Sequence, residues 1–251
     1  MIISLDIGNT NSGGAWMESG RSPKMFDLSD GTATIPSVIT VVGDQCLVGA
    51  DAIAAGKRFP DYCFRNFKRQ LGAKWHDLED TGYQTTEGPG GMLAYVGPGQ
   101  HRYLPEELHS YVIYDLLRAA QDVLGEVPTG TVLTVPADFG QSQREAVERA
   151  GHTAFDRIIK EDNLAFTPRI ELMNEPTAAA LAYGFDSKKA RRIFVVDYGG
   201  STLDVSLIQT GGGLTKVITT NGLRDCGGQD IDRLLADVVV GMWVTEHPDL
   251  A

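Results

Sequence analysis

An aspartate that ends an apolar strand, followed by any residue and a glycine, can set a carboxylate beside a ring of backbone amides. The chain carries this arrangement twice. The first copy is Ile3-Ser4-Leu5-Asp6-Ile7-Gly8-Asn9-Thr10-Asn11-Ser12, and the second is Phe194-Val195-Val196-Asp197-Tyr198-Gly199-Gly200-Ser201-Thr202-Leu203-Asp204. Glycine permits a positive φ and close approach of backbone to a ligand, and successive amides around such a turn make an anion-binding concavity. Asp6 and Asp197 are candidate magnesium carboxylates, acting directly or through water. Thr10, Asn11, Ser201 and Thr202 add hydroxyl and amide donors suited to phosphate oxygens. One copy alone reads more readily as a plain turn. Two facing copies would clamp a metal-bound polyphosphate, which implies a duplicated, two-lobed nucleotide cleft.

Two further residues bear on the same chemistry. Glu175 precedes Pro176, so it is expected to be extended, with Pro176 as the first helical residue. Glutamate is a poor helix N-cap, and its carboxylate would sit at a strand end within reach of a metal-bound water. Lys68, in Phe67-Lys68-Arg69-Gln70-Leu71-Gly72, reads by residue type alone as a solvated surface charge. The chain has no G-x-x-x-x-G-K-[ST] loop and no G-x-G-x-x-G that opens a helix after a strand. Gly88 to Gly99 is glycine-rich but lacks a lysine or a helix start, and reads as a hairpin or loop.

The elements that must position these residues follow from periodicity. Residues 2–7 are predicted as a buried strand and Ser12 to Met17 as its return. Val38 to Val42 and Cys46 to Val48 form a second hairpin about Gly43-Asp44, and Asp51 to Arg58 a short helix. Tyr83 to Thr86, Met92 to Val96 and Arg102 to Leu104 are strand-like. A long helix starts at Pro105, keeps Leu108, Val112, Ile113, Leu116, Leu117, Ala120, Val123 and Leu124 at helical spacing, and ends at Gly125. A strand at Thr131 to Val135, a helix at Gln141 to Ala150 closed by Gly151, a strand at Thr167 to Met173 and a helix at Pro176 to Tyr183 follow. The second hairpin comes next, with Gly211-Gly212-Gly213 as a turn, and Ile231 onward begins a last helix. Hairpins followed by alternating strands and helices, twice over, predict an α/β protein with mixed sheets and a duplicated half-domain rather than a short-period repeat.

Composition narrows the partners. The chain has 251 residues, 42% of them apolar, and 33 acidic against 22 basic residues, a net charge of −11. That balance, with no basic cluster, argues against nucleic acid as a partner. Cys46, Cys63 and Cys226 are scattered and odd in number, which indicates neither a disulfide framework nor a zinc site. No leader-like segment opens the sequence and no apolar run is long enough to span a bilayer. A cytosolic protein with no membrane partner is expected.

Together the motifs resemble the seventy-kilodalton heat-shock chaperones of the DnaK type. The resemblance is carried by Asp6 to Ser12, Lys68-Arg69 with Leu71-Gly72, Thr134-Val135-Pro136-Ala137-Asp138-Phe139, Ser142-Gln143-Arg144, Asn174 to Gly184, Asp197 to Ser206 and Cys226 to Asp232, in the family's order and spacing. The run Asn174-Glu175-Pro176-Thr177-Ala178-Ala179-Ala180-Leu181-Ala182-Tyr183-Gly184 is the most specific of these. It is not shared by sugar kinases, actins or acetate kinases. The resemblance implies an actin-like ATPase (ribonuclease H-like) fold: mixed sheets with hairpins and flanking helices, in duplicated lobes. Residues 1–187 would be the first lobe, with an insertion subdomain at about 38–104. Residues 188–251 would begin an incomplete second lobe.

By the same resemblance Gly8, Asn9, Thr10 and Asn11 belong to a first phosphate loop and Gly199, Gly200, Ser201 and Thr202 to a second. Asp6 and Asp197 would orient magnesium waters with Glu175 assisting. Lys68 would reach the γ-phosphate and the attacking water, and Glu175, Asp197 and Thr202 would share in catalysis. Pro136 and Arg144 match the family's relay to the peptide-binding domain. ATP or ADP, Mg2+ and an accompanying K+ are the implied ligands, and client peptides and co-chaperones the implied partners of the full-length protein. The sequence departs from the family at Asn9 (usually Thr), Ser201 (usually a third Gly), Asp138 (usually Tyr), Gln70 and Ala73, as a divergent member would. A Cβ at Ser201 is expected to narrow its loop or to demand a negative φ. The family's second lobe continues beyond residue 251 and supplies the adenosine-holding elements there, so this chain is expected to be a truncated ATPase domain that binds ATP weakly and turns over little. The rival readings are a small-molecule kinase of the same fold and a catalytically degenerate scaffold module.

Overall fold

The computed structural model describes residues 1–18, 21–26, 31–77, 81–183, 188–224 and 226–247. They fall into two compact units, Met1–Glu175 and Pro176–Ala251. The expected lobe boundary at 187/188, and Gly184 at the end of the specific run, touch residues 184–187, which lie outside the described residues.

The first unit opens with strands β1 (Ile2–Ile7), β2 (Asn11–Trp16), β3 (Lys24–Met25) and β4 (Thr34–Pro36). There follow β5 (Val38–Val42), β6 (Gln45–Val48), helix α1 (Gly49–Gly56) and β7 (Cys63–Arg65), then β8 (Thr85–Glu87), β9 (Leu93–Val96) and β10 (Arg102–Tyr103). Helix α2 (Pro105–Leu124), β11 (Gly130–Val135), helix α3 (Gln141–Glu161) and β12 (Arg169–Asn174) complete it. The central sheet has six strands in the order β12-β11-β1-β2-β3, with β4 on β2. β1 runs parallel to β11 and antiparallel to β2. Two smaller sheets, β6-β5-β7 and β10-β9-β8, lie in the segment expected as an insertion.

β1 alternates rather than being buried throughout, as the sequence had suggested. Ile3, Leu5 and Ile7 are buried, whereas Ile2, Ser4 and Asp6 occupy the open face. The period-2 geometry of a strand thereby brings Asp6 out at the strand end. Helix α2 buries Leu108, Val112, Ile113, Leu116, Leu117 and Ala120 fully, and Val123 stays exposed near its C-terminus. Gly125 closes it in the left-handed conformation, its N–H donating to Gln121 O. Helix α3 runs ten residues or so past its predicted end. Gly151 is no cap: a Cβ there would lie 2.9 Å from Ile170 Cδ1 and 3.1 Å from Leu133 Cδ1. The glycine lets the helix lie close on β11 and β12, and close packing and capping leave the same mark in a sequence.

The second unit holds helix α4 (Glu175–Ala182, which bridges the boundary), β13 (Arg191–Tyr198), β14 (Thr202–Gly211), β15 (Leu214–Arg224) and helix α5 (Gly228–Glu246). α4 begins at Glu175, one residue before the predicted start. β13, β14 and β15 form an antiparallel meander, with the expected glycine turn at Gly211 to Gly213. Ala180, Ile193 and Ile208 make its small core. Leu234, Leu235, Val238, Val239, Met242 and Trp243 of α5 and Phe194, Val196 and Tyr198 of β13 are exposed.

Candidate functional site

The two Asp-x-Gly segments fold into the same turn. In the first, Asp6 pairs with Gly13 and Ile7 with Ser12 across the β1-β2 ladder. The turn is closed by Gly8 N–H donating to Asn11 O at 3.1 Å. In the second, Asp197 pairs with Asp204 and Tyr198 with Leu203, and Gly199 N–H donates to Thr202 O at 2.9 Å. Position for position, the bond is the same.

Neither Gly8, Gly199 nor Gly200 adopts a positive φ, so the conformational freedom first attributed to them is not what the turns use. Gly8 is required by space: a Cβ would overlap the Asn11 carbonyl oxygen. Gly199 is less constrained, since a Cβ would stand 3.5 Å from Thr202 O, an ordinary contact. Ser201 is buried and its φ is not positive, so its backbone follows the turn without strain.

The two turns differ in what lies behind them. Behind the first, Ser37 N–H donates to Thr10 O at 2.8 Å, and the Ser12 and Ser37 hydroxyls share a buried hydrogen bond of 2.7 Å. The Asn9 Oδ1 is buried with no partner among the described residues. Rotation of that amide would present its N–H groups there, as donors to an anionic oxygen. From the neighbouring parallel strand, Thr134 Oγ1 donates to Asp6 Oδ1 at 2.5 Å. Behind the second turn stands the N-terminus of α5. Gly228 N–H donates to Gly199 O (3.1 Å) and Gln229 N–H to Gly200 O (2.8 Å). These helix-end amides are otherwise without intrahelical acceptors, and here they hold the loop carbonyls. A Cβ at Gly227 would come within 2.6 Å of the Gly200 carbonyl carbon and Ser201 Cα, so this glycine admits the loop.

Lys68 is not a surface charge. It lies on a 3-10 turn (Phe67–Gln70) entered through left-handed Asn66, and its Nζ donates to Glu175 Oε1 at 2.8 Å. The Lys68 side chain is 6% exposed and that of Glu175 18%. The two residues are 107 positions apart, which is why residue type alone misassigned the lysine. Phe67 anchors the turn, its ring edge-on to that of His109 at 6.3 Å. Burial, and then the Lys68 charge, push His109 down to about 3, so the ring is neutral.

Arg144, at the start of α3, donates from Nη2 to Asn174 Oδ1 (2.8 Å), from Nε to Phe139 O (3.0 Å) and from Nη2 to Pro136 O (3.5 Å). It thus joins the Pro136 segment to the residue before Glu175. Sequence reasoning missed Thr134, His109, Asn174 and Gly227 as parts of the site. Thr134 stands in the Thr134-Val135-Pro136 motif, but its link to Asp6 follows only from the parallel register of β1 on β11.

In comparisons with known proteins, the profile of the Hsp70 protein family matches residues 2–248. The chain is 36% identical over 249 residues to the chaperone protein DnaK of Deinococcus proteolyticus, covering 98% of this chain and 37% of that protein. It is 38% identical over 252 residues to the chaperone protein dnaK1 of Parasynechococcus marenigrum, covering 98% and 36%. The chain belongs to the Hsp70 family. Its mixed α/β architecture is therefore the actin-like ATPase fold, and the chain corresponds to the nucleotide-binding region of a DnaK-type chaperone. It spans a little over a third of the length of these relatives. Among the described residues, no helix is long and apolar enough to cross a membrane.

Proposed function

We propose that this chain binds Mg-ATP through its two Asp-x-Gly loops and that the intact protein hydrolyses it to govern the capture and release of client peptides. The observation that carries this reading is the repetition of one turn, with the same register and the same Gly N–H to carbonyl bond, in two separate sheets. Gly8, Asn9, Thr10 and Asn11 in the first loop, and Gly199, Gly200, Ser201 and Thr202 in the second, would take the phosphates.

The donor set suits a hydrated ion that arrives with the nucleotide. Asp6 offers an exposed carboxylate next to the amides of the first loop, and among the described residues no three His, Cys, Asp or Glu side chains gather as a metal cluster. Asp6 and Asp197, with Glu175, would hold its waters. When bound, Mg2+ neutralises charge on the phosphate oxygens. Lys68 is kept as a buried cation by Glu175, already stripped of most of its water, so its field on an arriving phosphoryl group is weakly screened. We assign it the terminal phosphoryl group and the attacking water, with Thr202 as a further donor. Pro136 and Arg144 would pass the nucleotide state onward through Asn174 and Glu175. The acidic charge and the scattered free cysteines support a cytosolic setting.

Calorimetric titration with Mg-ATP tests the reading, with Lys68→Ala alongside. Saturable, magnesium-dependent binding by the wild type, with hydrolysis in the full-length protein lost in Lys68→Ala, is the expected result. Failure to bind nucleotide, or phosphoryl transfer to a sugar or acetate, would overturn it.

A further inference from the structure

We infer that Thr134 is a positioning residue for Asp6: its hydroxyl locks one carboxylate oxygen so that the other is presented to the hydrated Mg2+ of a bound nucleotide. The inference rests on the reading of the site given above. Leu5 and Leu133 are register partners on parallel strands, so Asp6 and Thr134 come next and emerge on the same face of the sheet. The Thr134 hydroxyl has a single proton, and it goes to Asp6 Oδ1 at 2.5 Å. A carboxylate has two oxygens and several acceptor sites. One firm donor removes the rotation that would otherwise scatter them.

Thr131, on the same strand β11, provides an internal contrast. It is a buried threonine whose Oγ1 has no partner among the described residues. A hydroxyl on β11 is therefore not in itself a device, and the one that meets a carboxylate is.

Valine is nearly isosteric with threonine and as well suited to a strand, so Thr134→Val removes the donor and little else. Thr134→Ser keeps the donor. The test is an Mg2+ titration at fixed saturating ADP, read calorimetrically on the wild type, T134V, T134S and the control T131V, together with the 13C carboxylate resonance of Asp6 without ligand. Second-sphere partners of metal sites usually matter by tenfold or more. T134V is expected to raise the Mg2+ requirement roughly tenfold and to shift the Asp6 resonance. T134S should restore both, and T131V should change neither. A T134V chain with the wild-type Mg2+ requirement would overturn this inference alone. A wild type that binds no ADP at any Mg2+ concentration would overturn the reading of the site and this inference with it. Ligand-free spectra tell the cases apart, because the hydroxyl contact must register there whether or not nucleotide binds.

Discussion

The two loops share a sequence pattern, a strand register and a closing hydrogen bond, yet each is held by a different kind of neighbour. The first is set into the middle of a six-stranded sheet, with β11 on one side and β2 on the other, and adds side-chain contacts to a backbone one: Thr134 on Asp6 and Ser12 on Ser37, beside the Ser37 N–H on Thr10 O. The second sits at the edge of a three-stranded meander and leans on backbone, the first amides of α5 holding the carbonyls of Gly199 and Gly200. A hairpin of this type therefore does not carry its own rigidity. What fixes either turn is the element behind it, and the two units supply different elements.

The largest expected effect comes from the glycine that each loop shares. Gly8→Ala forces a Cβ onto the Asn11 carbonyl and should destabilise the first unit by about 3 kcal/mol. Gly199→Ala should stay within about 0.5 kcal/mol of wild type. Urea midpoints measure both, and equal losses would show that the loops are equally tight. Next in size, Lys68→Met leaves the Glu175 carboxylate half-enclosed without its cation. A loss of about 2–3 kcal/mol is expected, less than for a wholly buried pair because Glu175 keeps some contact with water. Adding Glu175→Gln should recover part of it, and strictly additive losses in that double-mutant cycle would mean the ion pair contributes nothing.

Acid should weaken the packing behind the Lys68 turn through His109. Its folded pKa lies near 3 against 6.5 in the unfolded chain. Below pH 6.5 the unfolded chain therefore binds the proton and the folded one does not. Stability from this group falls by up to about 1.4 kcal/mol per pH unit until pH 3 is approached. Asp115 works in the opposite sense. Burial, and then Asp51, raise it to about 6 from 3.8. Its stabilisation is complete below 3.8 and is lost as pH rises through 6. The two slopes oppose each other between pH 4 and 6. His109→Gln should remove the first of these two slopes, so that stability falls less on acidification from pH 6 to 4 than in the wild type, and an unchanged profile in that variant would contradict the assignment. The smallest effect is Thr131→Val, which removes a buried hydroxyl without a partner among the described residues and should stabilise the first unit by about 1 kcal/mol in thermal denaturation.

What the sequence made legible follows the range of the interactions involved. Both loops, the β5-β6 hairpin and α2 with its Gly125 stop were readable, because strand alternation, helical spacing and a C-terminal glycine act over a few residues. The positions that misled were those decided by distant partners. Lys68 is indistinguishable from a surface lysine until Glu175 is brought beside it. Gly151 looks like a helix stop, and only the nearness of Ile170 and Leu133 shows that it is a packing glycine. Gly8 was expected to serve through φ, and it serves through the absence of a Cβ beside a carbonyl. Thr134 and Gly227 were invisible for the same reason, since each acts on a loop that the chain order separates from it.

The most direct test of the role proposed for the two loops is amide hydrogen exchange with and without saturating Mg-ADP. Gly8 to Asn11 and Gly199 to Thr202 should become protected together, at the same nucleotide concentration, with the amides of Gly228 and Gln229 already protected beforehand. Protection of one loop alone, or of neither, would contradict the account that both are halves of one phosphate-binding device.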